Sequence, residues 1–160
     1  MIFIDANVFL AFNSDTDVHH QKAKIIFEQI DIGKYQDYFT SDYVFNEVVG
    51  VTLRKFGKER AKVLGEHIRA SALMMHIDKR LLRLAWKLFK ETPLNLSLVD
   101  CTNVELMKAT KTNTIATFDK EFFKINRKTF WRKGPQHSYS FLPSGARPHG
   151  HRPKIQGSRK

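Results

Sequence analysis

The chain has 160 residues and a single cysteine, which leaves room for one domain with a hydrophobic core and an appendage, but not for two catalytic domains, an intrachain disulfide or a cysteine-rich zinc site. Its net charge of +11 is unevenly placed: ten of the 27 Lys and Arg residues follow Glu121, no Asp or Glu does, and residues 1–121 hold 17 basic against 16 acidic groups. No basic segment leads into an apolar run of signal-peptide length and no window approaches the ~18 apolar residues of a membrane span, so the expectation is a soluble, cytoplasmic protein, not bound to a membrane, whose basic end seeks a polyanion.

Ile2, Phe3 and Ile4 form a short apolar strand, and Asp5 stands at its carboxyl end, before a helix-like stretch from Ala6 to Phe12. A second helix is predicted from near Asp17 to Ile30, with Ala23, Ile26, Phe27 and Ile30 at helical spacing. Tyr38 to Thr40 reads as a strand, and Ser41 as the cap of a long helix that Gly57 ends. Lys58 to Ala70 is a further helix, Leu73 to Ile77 a strand, and Asp78 the cap of a helix closed by Pro93. Ser97 begins another helix through about Thr110, and Thr114 to Phe118 is a strand that hands over to Asp119.

Strands alternating with helices predict a mostly parallel sheet covered by helices on both faces. Residues 1–133 are assigned to this domain, with one more strand possible around Thr129 to Trp131, while residues 134–160, rich in Gly, Pro, Ser, His and Arg, read as a basic disordered tail.

In open sheets of this kind ligands bind beyond the carboxyl ends of the strands. Asp5 and Asp119 lie at such ends, and Asp100 lies in the first turn of the helix before the second. Each has a plain structural use: Asp5 and Asp119 as helix caps, Asp100 with Ser97 as a Ser-x-x-Asp capping box, and Glu47 as an exposed helix residue. Together they mean more, because carboxylates gathered in one crevice repel unless a cation or protons compensate them. Oxygen-only donors suit Mg²⁺ or Mn²⁺, and no His or Cys stands beside these acids in a zinc-ligand spacing.

The local strings are Met-Ile-Phe-Ile-Asp-Ala-Asn at 1–7, Ser-Asp-Tyr-Val-Phe-Asn-Glu at 41–47, Ser-Leu-Val-Asp at 97–100 and Ile-Ala-Thr-Phe-Asp at 115–119. In order and context these resemble the PIN-domain nucleases, from residue 1 to about residue 123. The resemblance implies a three-layer α/β/α sandwich and a catalytic, metal-binding role for Asp5, Glu47, Asp100 and Asp119. It also gives Asn7, Ser97 and Thr117 supporting positions around them. The implied reaction is hydrolysis of RNA phosphodiesters with Mg²⁺ or Mn²⁺, leaving 5′-phosphate and 3′-hydroxyl ends. A compact domain beginning at Met1 is similar to the VapC-like toxins of type II toxin-antitoxin pairs, which implies a homodimer and a cognate antitoxin.

The extended basic tail departs from that pattern and keeps a housekeeping PIN ribonuclease of RNA maturation or decay in view. A non-catalytic RNA-binding module, with the acids as caps and Arg147, Arg152, Lys154, Arg159 and Lys160 binding RNA, is the third reading. A haloacid-dehalogenase-type phosphatase would need Asp where Asn7 stands, and a response-regulator receiver would need paired acids where only Asp5 is found. Cys101 has no activating His nearby in sequence and reads as a buried structural cysteine. His149 and His151 form a two-ligand pair too small to define a metal site.

Overall fold

The computed structural model describes residues 1–35 and 37–125. Its four strands are β1 (Ile2–Ile4), β2 (Tyr38–Ser41), β3 (Leu73–Met75) and β4 (Ile115–Ala116), all parallel, in the order β3-β2-β1-β4. The seven helices among the described residues are α1 (Ala6–Phe12), α2 (His20–Asp31), α3 (Asp42–Phe56), α4 (Lys58–Ser71), α5 (Lys79–Glu91), α6 (Leu98–Ala109) and α7 (Lys120–Phe123).

The chain steps in one direction from β1 to β2 to β3, then returns across the sheet to place β4 on the other side of β1. Right-handed crossovers therefore put the first two helix pairs on one face and α5 with α6 on the other. This is the expected three-layer α/β fold. It also fixes the topological switch point between β1 and β4, where a crevice opens beyond the strand ends.

The sheet is a run of apolar residues because both faces are covered. Ile2, Phe3 and Ile4 are all buried, and Phe3 meets Phe39 edge-on with ring centroids 5.3 Å apart. Val44 and Val48 bring α3 into the same core, and Val104, Leu106 and Met107 bring α6. Helix starts are chemically marked: Asp5, Ser41, Asp78, Ser97 and Asp119 each accept a hydrogen bond from a first-turn backbone N–H. Each such cap is worth ~1 kcal/mol. Gly57, at φ 85°, ends α3 in a left-handed conformation that side-chain-bearing residues resist, and starts α4 directly.

Three boundaries differ from expectation. α2 starts at His20 rather than near Asp17, because the Asp17 carboxylate accepts from the His19 N–H at 2.8 Å and holds a turn there. β3 stops at Met75, since the Ile77 N–H turns to the Asp42 carboxylate at 3.1 Å and leaves the ladder. β4 is only two residues long, because Thr117 bends its hydroxyl onto Asp5. The expected strand around Thr129 to Trp131, the domain boundary at residue 133 and the basic tail with its five RNA-binding candidates lie outside the described residues.

Candidate active site

Asp5 sits where β1 ends and α1 begins, so the backbone delivers its carboxylate to the switch-point crevice, where it is 4 % exposed. Its Oδ1 accepts from the Ala6 N–H at 2.8 Å, and its Oδ2 accepts from Asn7 Nδ2 at 2.8 Å and from the Thr117 hydroxyl at 2.7 Å. Asn7 donates further to Thr117 Oγ1 at 3.0 Å and accepts the Phe118 N–H at 3.0 Å. The start of α1 and the end of β4 are thus sewn together around one carboxylate. Thr117 Oγ1 also accepts the Asp119 N–H at 3.1 Å, and Asp119 Oδ1 accepts from Glu121 N–H at 2.8 Å as the cap of α7.

Asp100 keeps its capping role. Ser97 N–H donates to Asp100 Oδ2 at 2.7 Å, and Asp100 N–H donates to Ser97 Oγ at 3.1 Å. Ser97 supports the site through this box and makes no described contact with the other acids. Glu47 projects from α3, about a turn and a half beyond the Ser41 cap, with an exposed side chain.

The electrostatics show which acids feel one another. Burial pushes Asp5 up to about 7; its bonds from Thr117 and Ala6 pull the other way, and Asp100 and Glu47 add repulsion. Glu47 is raised by the protein around its carboxyl group and then by Asp100, against a weaker pull from Arg54. Asp100 is raised by burial and by Asp119, against its Ser97 bonds. The four expected acids therefore share one negative field, linked pairwise through Asp100. The ion pairs among the described residues include none of the four.

That field is open rather than caged. Among the described residues, no group of three or more His, Cys, Asp or Glu side chains is arranged to hold a metal ion. The donor chemistry nevertheless fits a hard divalent cation: oxygen ligands only, mutual repulsion, and a buried carboxylate that has no positive partner among the described residues. A pocket of about 500 Å³ lies elsewhere, bounded by α1, α2 and α4 residues such as Phe12, Phe27, Arg60 and His67, and contains none of the four acids.

Cys101 is fully buried, and burial with the neighbouring Asp100 and Glu105 charges pushes its thiol up to about 11. That is the opposite of an activated nucleophile.

Sequence reasoning overlooked Asn103. It is completely buried on α6, three residues past Asp100; its Nδ2 approaches Asp5 Oδ1 at 3.4 Å, and its Oδ1 lies 3.5 Å from Ser41 Oγ. The available signal was positional, since a polar residue at i+3 from Asp100 falls on the same side of the helix.

A family model described as PIN domain matches residues 2–128. No curated protein matches the chain. Among solved structures, that of VapC20 from Mycobacterium tuberculosis, a toxin that cleaves the sarcin-ricin loop, superposes with a TM-score of 0.70. The match covers 78 % of this chain and 94 % of that one at 24 % identity, a likeness of fold.

Proposed function

This chain belongs to the PIN-domain family, and from that premise we propose that it is a divalent-metal-dependent endoribonuclease acting through Asp5, Glu47, Asp100 and Asp119. The observation that carries the reading is the shared field of these acids at the β1–β4 switch point, with Asp5 buried and, among the described residues, paired with no cationic side chain. When bound, Mg²⁺ or Mn²⁺ supplies charge neutralisation, a water of lowered pKa and stabilisation of the leaving oxygen.

The chain's own residues do the rest. Thr117 and Asn7 hold Asp5 in one orientation, and the same Thr117 hydroxyl fixes the backbone that carries Asp119. The capping box fixes Asp100 by its Oδ2. Glu47, on α3, is the exposed member and feels the Asp100 charge, which makes it the acid freest to move toward a cation. The Thr117 hydroxyl is engaged by Asp5 and that of Ser97 by the Asp100 N–H, so water is the attacking group in this reading.

Within the family we place the protein as the toxin half of a type II toxin-antitoxin pair, on the likeness of its fold to VapC20 and the compactness of the domain. RNA is then the substrate, a short antitoxin the protein partner, and a homodimer the working state. No helix among the described residues is long and apolar enough to cross a membrane, which suits a cytoplasmic enzyme. One observation favours the RNA-binding alternative: Asp5, Asp100 and Asp119 all make cap bonds and so have structural employment.

Incubating a mixed RNA pool with Mg²⁺ or Mn²⁺, and with EDTA as control, separates the two. Divalent-dependent cleavage leaving 5′-phosphate ends is expected. RNA retention without cleavage at any divalent concentration would replace the nuclease with the binding module.

A further inference from the structure

Asn103 occupies a position where a polar side chain is costly. It is 0 % exposed, in a helix whose other core-facing residues include Val104, Leu106 and Met107. Burying a primary amide is tolerated only where its N–H and C=O groups find partners. Here both ends of the amide are spoken for, and by residues from two other elements. Nδ2 points at Asp5 Oδ1 at the end of β1, and Oδ1 faces the Ser41 hydroxyl at the end of β2.

Ser41 is itself fully buried and accepts the Val44 N–H at 3.1 Å, which starts the helix carrying Glu47. Asn103 also lies one turn beyond Asp100 on α6. One carboxamide therefore connects the end of β1, the start of α3 and the first turns of α6. The ends of β1 and β2 are also tied directly, the Thr40 hydroxyl donating to the Ile4 carbonyl at 2.9 Å, and the Asn103 amide adds α6 to that junction.

We infer that Asn103 is a positioning residue of this centre: reaching both Ser41 and Asp5, its carboxamide trims the direction of an Asp5 carboxylate held by Ala6, Asn7 and Thr117, and links the elements that carry the other acids. The inference rests on the nuclease reading above. Its bonds to Asp5 and Ser41, at 3.4 and 3.5 Å, are long, in keeping with a contact that steers a carboxylate already held by three shorter ones. Residues that orient a metal's ligands typically contribute ~10- to 100-fold in metal affinity.

The test compares Asn103→Leu, Asn103→Ala and Asn103→Ser with the wild-type chain, reading Mn²⁺ affinity by electron paramagnetic resonance and melting temperature in EDTA. Leu retains volume without polarity, Ala loses both, and Ser matches Ala in size while keeping a hydroxyl. If Asn103 positions Asp5, affinity follows polarity while stability follows volume. Asn103→Leu should then bind Mn²⁺ ~10- to 100-fold more weakly at nearly the wild-type melting temperature, and Asn103→Ser should bind more tightly than Asn103→Ala though both melt lower. Should Leu fail to fold, the Ser and Ala pair decides alone. Wild-type affinity in Asn103→Leu, or equal affinity in Ser and Ala, would overturn the inference and leave the nuclease reading standing. A wild-type protein with no Mn²⁺ affinity would overturn that reading itself.

Discussion

The Thr117 hydroxyl lies 2.7 Å from Asp5 Oδ2, although 112 positions of sequence separate the two residues. The same oxygen accepts the Asp119 N–H, so one threonine sets a carboxylate at the end of the first strand and the backbone of a second acid after the last. Replacing it with Val keeps the shape and deletes both bonds together with the one from Asn7. Thr117→Val should reduce cleavage by ~10- to 100-fold while circular dichroism remains that of the wild type. Unchanged cleavage kinetics would deny Thr117 this organising role.

Asp100→Asn should remove divalent-dependent cleavage altogether, a loss of at least ~100-fold. Asn preserves much of the capping geometry with Ser97, so the variant should fold and bind RNA as the parent does. Gel-based cleavage paired with a filter-binding measurement tests both halves. Undiminished cleavage by a folded Asp100→Asn protein would sink the assignment of the four acids.

Stability in metal-free buffer should fall as pH rises from ~4 to ~7. Burial lets Asp5 hold its proton up to about 7 when folded, against 3.8 for an ordinary aspartate, so across that window the native state binds the extra proton and unfolding releases it. The raised Asp100 and Glu47 act in the same direction. Asp5→Asn, neutral throughout, should flatten the profile and melt ~3 °C or more above wild type at pH 7.5. Scanning calorimetry in EDTA reads this directly; a wild-type protein that gains stability over the same window would contradict it.

Adding Mn²⁺ at pH 7.5 should reverse that penalty in the wild type, since a cation that binds only the folded state stabilises it by ~3 kcal/mol at a hundredfold excess over its Kd. Asp5→Asn should show little of this response. Equal Mn²⁺-induced shifts in the two proteins would place the cation elsewhere.

Deleting residues 135–160 removes Arg147, Arg152, Lys154, Arg159 and Lys160. If all five neutralise phosphates, the slope of log affinity against log salt should flatten by ~3 to 4. Cleavage at saturating RNA should persist, because every proposed ligand lies upstream. An unaltered slope would show that these cations do not touch RNA.

Most of the sheet and its helices were readable from the sequence because each element carries its own local signal. Ser41 before a two-row apolar helix, Gly57 after it, and the box from Ser97 to Asp100 are chemical punctuation that short-range physics obeys. Strand ends were less legible. Leu73 to Ile77 and Thr114 to Phe118 have strand composition throughout, yet their last residues are diverted by partners distant in sequence, Asp42 for Ile77 and Asp5 for Thr117. Asn103 escaped for the same reason. Nothing near it announces that the ends of β1 and β2 will converge on its amide, whereas the acids stood out because their strings are distinctive.

The pairing of β1 with β4 on one side and β2 on the other makes the first strand central and gives it its last partner only near the end of the described chain. During synthesis, a nascent chain that has reached Asn113 already contains Asp5, Glu47 and Asp100, yet the hydroxyl that orients Asp5 and the acid that follows it do not exist. On the nuclease reading proposed above, hydrolytic competence would arrive late on the ribosome, because a chain released before Thr117 lacks both the hydroxyl that holds Asp5 and the fourth proposed acid, Asp119.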